Sequence, residues 1–170
     1  MVALHKDSMP PKQLKLAAPA TPAKELAGFI AKFDPVVAKM IRSTRLALRK
    51  QFTTAIEQVY DNYNFLAIGF CTTERTSDCF VSIAANAKGV SLSFYYGASL
   101  PDPRKVLLGA GNQNRFIRLE NAKTLVRPEV QALLEAAVRQ AKSPLPKTGA
   151  GYTMIKSVSA KQRPRRGAPE

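Results

Sequence analysis

The chain has 170 residues, 45% of them hydrophobic, and sets 26 Lys and Arg against 12 Asp and Glu for a net charge of +14. That length allows one domain of ordinary size with room for tails. No run approaches the ~18 consecutive apolar residues of a spanning helix, and Pro and Lys interrupt MVALHKDSMPPKQLKLAAPATPAK where a secretory leader needs an unbroken apolar stretch, so a cytoplasmic location is the expectation.

Residues 1–20 are rich in Pro, Ala and Lys without period and read as a disordered tail. Thr21-Pro22 is a helix start, with the hydroxyl as N-cap and Pro at the first helical position. Leu26, Phe29, Ile30 and Phe33 follow as one apolar stripe. Asp34-Pro35 repeats the signal and opens a second helix, whose apolar face is Val37, Met40, Ile41, Thr44, Leu48 and Phe52. Both helices are too short to stand alone and need a sheet to pack on.

From residue 56 the period changes to two. AIEQVY and FLAIGF read as strands around the turn-prone DNYN. FVSIAA and VSLSFYY follow as a hairpin through NAKG, where Asn and Gly tolerate positive φ. Val90, Leu92, Phe94 and Tyr96 share one face there, opposite Ser91, Ser93 and Tyr95. Asp102-Pro103 reads as the cap of a short helix, RKVLL, ended by Gly109. NRFIRLE is then a strand. A last helix starts at Pro128, with Val130, Leu133, Leu134, Ala137 and Val138 on one face, and stops before Ser143-Pro144. Residues 144–170 lack a core-forming pattern and read as a second disordered, basic tail. The expectation is therefore an α+β domain over residues 21–143: an antiparallel sheet with helices packed on one face, a helix pair at its N-terminal end and one helix at its C-terminal end.

Charge is spread over the whole chain. Residues 24–142 carry 17 basic and 10 acidic side chains, and the remaining excess sits in the tails. An excess of this size directs attention to anionic partners, a nucleic acid or a phosphorylated small molecule. In the second helix no acid appears between Asp34 and Glu57, and Arg42, Arg45 and Arg49 form one stripe beside the apolar face. Such a one-sign stripe either meets acids on another element or serves an anionic partner. In LLGAGNQNRFIR two glycines precede Arg115 and Arg118; the turn could cradle phosphate, or the glycines only cap a helix and make a turn. The two arginines differ by an odd number, so a regular strand points them to opposite faces. Lys161, Arg163, Arg165 and Arg166 make a basic arm that either grips phosphate backbones without reading bases or only solubilises the end. Tyr60 and Tyr63 are candidates for a pocket edge.

No catalytic constellation is visible. The sole His is His5, in the first tail, and no Cys–His nucleophile is available to the domain. Cys71 and Cys79 face each other if TTERTSD is a symmetric turn about Arg75; two ligands make no zinc site, and a reducing cytosol keeps them free. No cofactor is expected.

The opening helix pair, the segment EQVYDNYNF, the hairpin FVSIAANAKGVSLSFYYG and the stretch DPRKVLLGAGNQNRFIRL together resemble the YdhG-like family of small bacterial domains of unknown function. The likeness covers about residues 24–142 and leaves both tails outside. It implies the same fold and, because some members are described as frataxin-like iron chaperones, metal handling as an alternative function. Iron wants clustered carboxylates, and the acids here are scattered. The leading expectation is thus a non-enzymatic binding module for an anionic partner. A small-molecule enzyme using a pocket near Tyr60, Tyr63 and Arg115 is a further alternative, and a homodimer through unpaired sheet edges is left open.

Overall fold

The computed structural model describes residues 18–169. Most of the first tail, residues 1–17 with His5, lies outside the described residues. Helix α1 (Pro22–Ala31) starts as expected, the Thr21 hydroxyl accepting from the Lys24 amide at 3.3 Å. Helix α2 (Pro35–Gln51) begins directly after Asp34 and buries Ala38, Ile41, Thr44 and Leu48. Strands β1 (Ile56–Asp61), β2 (Leu66–Cys71), β3 (Cys79–Asn86), β4 (Gly89–Phe94) and β5 (Arg115–Leu119) pair antiparallel in sequence order. Helix α3 (Pro128–Arg139) follows and buries Val130, Leu133, Leu134, Ala136 and Ala137.

The architecture is α+β, with a six-stranded sheet of order β5-β4-β3-β2-β1-β6. The register puts Ile68, Ile83, Leu92 and Ile117 in one row toward the helices, where they close the core with Leu26, Ile41 and Leu134. Because side chains alternate across a strand, the same register sends Ala67, Gly69, Ser82, Ala84, Ser91, Ser93, Phe116 and Arg118 to the opposite face. No helix among the described residues covers that face.

Three expectations are corrected. Residues 144–170 are not a structureless tail: β6 (Thr153–Val158) joins the sheet parallel to β1, so the sheet is mixed rather than wholly antiparallel. The Glu57 amide donates to the Tyr152 carbonyl at 2.8 Å and the Ser159 amide to the Asp61 carbonyl at 2.9 Å, closing both ends of the new pairing. RKVLL is not a helix. The Asp102 carboxylate takes the Val106 and Leu107 amides at 3.0 and 2.9 Å in a local turn with Lys105 at φ 52°, and Leu108 then bridges Phe116. An Asp side chain that bonds nearby amides competes with helix formation, and Gly109 (φ 108°) and Gly111 (φ 95°) shape a loop instead of a cap. Finally, β4 ends at Phe94, leaving Tyr96 exposed beside Tyr95 rather than in the core.

Gly151 makes the docking of β6 possible. Its amide donates to the Thr53 carbonyl at 2.8 Å, and a Cβ there would run into the Ala55 carbonyl, which is backbone and cannot swing aside. Gly151→Ala should therefore cost about 1–3 kcal/mol and loosen the β1–β6 seam first. Hydrogen exchange reads this directly: protection at the Glu57 and Ser159 amides falls while the β3–β4 amides keep theirs.

Candidate anion-binding site

Arg42, Arg45 and Arg49 do not act as one free stripe. Glu57, on β1 beneath α2, is 1% exposed and gathers two of them. Arg45 donates from Nε to Oε1 at 2.9 Å and from Nη2 to Oε2 at 2.8 Å; Arg49 Nη1 reaches Oε2 at 3.0 Å, and the Thr153 hydroxyl of β6 adds a bond at 2.6 Å. Arg42 is exposed and has no ion-pair partner among the described residues. Of the two readings open for the stripe, acids on another element account for Arg45 and Arg49.

The C-terminal arm is also largely spoken for. Arg165 is 4% exposed and donates Nη2 to Asp61 Oδ1 at 2.9 Å and to the Asn62 carbonyl. Asp61, fully buried at the end of β1, meets Lys32 Nζ on its other oxygen at 2.7 Å. Burial alone would push the Asp61 carboxyl up, but the donors from Lys32, Gln162 and Arg165 outweigh it and hold the group below the usual carboxylate value. The Arg165 guanidinium also lies 5.8 Å from the Phe33 ring centroid. Arg163 sits over the Tyr63 ring at 5.7 Å, and Arg166 Nε donates to the Lys32 carbonyl at 3.3 Å. Lys161 remains exposed. Residues 161–166 are thus a clasp over the end of β1, not a free arm.

Arg115 and Arg118 lie on opposite faces of β5, as their spacing requires. Arg115 turns inward and donates to the Asn114 and Gly111 carbonyls at 2.8 and 3.0 Å. Arg118 is exposed on the helix-free face. Tyr60 is bonded to Gln58 Oε1 at 3.1 Å and Thr76 Oγ1 at 2.7 Å, because the loop before β3 folds over the β1 end of that face. Tyr60, Tyr63 and Arg115 line neither of the two clefts described next.

The larger cleft, about 600 Å³, is a trough on the helix-free face over β3, β4 and β5. Its floor is made of small side chains, Ala84, Ser91 and Ser93, with Gly89 at the hairpin end. Lys88 and Arg118 bring positive charge, and Asn86 and Asn114 bring amides. Phe65 and Phe116 supply two phenyl rings, and the Arg118 guanidinium carbon lies 5.9 Å from the Phe116 ring centroid. Among the described residues no Asp or Glu lines it.

The smaller cleft, about 180 Å³, opens between β3 and α3 and touches Cys79. Cys71 and Cys79 are partners across β2 and β3, brought together by a register shift between Phe70 and Cys71 rather than by a symmetric hairpin, and both are free and buried. The neighbouring Cys79 sulfur, together with burial, pushes the Cys71 thiol up. The closeness of Cys71 pulls Cys79 down, against the opposing effect of burial. Among the described residues no group of three or more His, Cys, Asp or Glu is placed to hold a metal ion, and no helix is long and apolar enough to cross a membrane.

Comparison of the chain with protein-family models, with curated proteins and with solved structures matches none of them.

Of the trough's lining, sequence reasoning singled out only Arg118. The alternation that turned Ser91 and Ser93 away from the core was a usable signal, since Phe116 and Arg118 share a strand face by the same rule. What was missing was the register that sets Arg118 against Ser91 and Phe116 against Ser93.

Proposed function

We propose that the protein is a non-enzymatic binding module for an anionic partner, a nucleic acid or a phosphorylated ligand, and that the partner occupies the trough on the helix-free face. One observation carries the reading: the trough combines Lys88 and Arg118 with hydroxyl and amide donors, and among the described residues no carboxylate lines it. Oxyanions are recognised by such sets, in which guanidinium forks and neutral donors converge without a competing negative charge. The net charge of +14 adds long-range attraction. The reading belongs with a cytoplasmic setting.

The test is a titration with inorganic polyphosphate at low salt, followed by backbone amide NMR shifts. Saturable shifts are expected at Lys88–Ser93 and Asn114–Arg118, and Lys88→Glu with Arg118→Glu should remove them. Shifts centred on Arg42, or scattered over every surface lysine, would sink the proposal.

A further inference from the structure

We infer that the occupant of the trough is a single strand of nucleic acid, seated by base contacts as well as by phosphate; the inference rests on the anion-binding reading above. A purely phosphate-binding site gains nothing from phenyl rings, yet Phe65 stands 38% exposed and Phe116 lies in the same lining under Arg118. A nucleotide has three parts, and the trough has a counterpart for each. Flat, weakly polar base faces match the phenyl rings and the Arg118 plane. Base edges match the amides and hydroxyls of Asn86, Asn114, Ser91 and Ser93. Phosphates match Lys88 and Arg118.

The placement of the cations points to a strand. Arg118 is in register with Ser91 on β4, while Lys88 sits in the β3–β4 turn beyond Gly89 at the hairpin end of the trough, so the two cations come from different places along its lining. Successive phosphates of a strand can meet both. The small floor residues keep the sheet surface low, so a planar base can approach it edge-on or flat. A duplex has its base faces already stacked inside and has none to lay on the phenyl rings.

The experiment compares labelled single strands, an abasic strand of equal length, a duplex and a mononucleotide, all by fluorescence anisotropy with the full chain at one salt concentration. The single strand is expected to bind at least about tenfold tighter than the abasic strand, the scale of one stacked base, and tighter than either the duplex or the mononucleotide. Phe65→Ala should lose that margin while still binding polyphosphate, and Phe116→Ala should lose it as well. Phe65 precedes β2 in an exposed loop, so its variant keeps the test valid even if the β5 variant is unstable. Equal binding of abasic and normal strands overturns the inference and leaves the anion-binding reading standing. A mononucleotide as tight as the strand overturns the strand claim. No binding of any probe, polyphosphate included, removes both.

Discussion

Asp61→Asn should be among the most damaging single substitutions in the chain, costing about 3–5 kcal/mol in a urea titration. The carboxylate is fully buried, and Arg165 beside it is 4% exposed. Removing the negative charge strands that guanidinium, whose Nε and Nη1 already have no partner among the described residues. Lys32 is 42% exposed and adds less, because water screens it. Breaking a buried pair costs more than replacing it, so Asp61→Leu combined with Arg165→Met should be milder than either change alone. The same group gives the fold an acid-side dependence. With its folded pKa below the ordinary 3.8, Asp61 contributes its full stabilisation above that value and loses it as pH falls through the folded pKa. The wild-type midpoint should therefore drop on acidification below about pH 4, and the part of that slope due to Asp61 should vanish in Asp61→Asn.

How far the fold could be read beforehand depended on whether the signal was local. Thr21-Pro22, Asp34-Pro35 and Pro128 each announce a helix within three or four residues, and all three helices begin there. Cys71 and Cys79 do face each other, but through a register shift between Phe70 and Cys71 that counting along a symmetric turn does not contain. Strand β6 has no local signal. Its pairing with β1 is parallel and bridges nearly a hundred residues of chain. Its six residues are also half-buried or exposed at a sheet edge, so Met154, Lys156 and Val158 show no polar–apolar contrast with their neighbours. The candidate site was hidden for a related reason. Charge can be counted in a sequence, but whether a cation is spent inside the fold depends on which strand lies beneath it. Arg165 and Arg118 look alike in the chain; one is sealed against Asp61 and the other faces solvent.

Glu57 tests that distinction most sharply. Glu57→Gln should destabilise the protein by about 2–3 kcal/mol, the scale of losing hydrogen bonds to a charged group. It leaves Arg45 and Arg49 to repel each other and weakens the bond from Thr153 that ties β6 to β1. The expected result is a lower urea midpoint and a loss of exchange protection along β6, with polyphosphate affinity at the trough unchanged under conditions where the variant stays folded. Reversing Arg49 to glutamate is a poor probe of ligand binding for the same reason. It sets a second carboxylate against the buried Glu57, and any lost affinity would report unfolding. Arg118→Glu carries no such ambiguity, because Arg118 makes no ion pair among the described residues and lies on the face the core does not use. If Glu57→Gln and Arg49→Glu both cost stability while only Arg118→Glu costs affinity at full stability, the α2 stripe is structural and the trough is the binding surface. If Arg49→Glu leaves the urea midpoint intact and abolishes binding, the assignment reverses and the stripe on α2 is the ligand's.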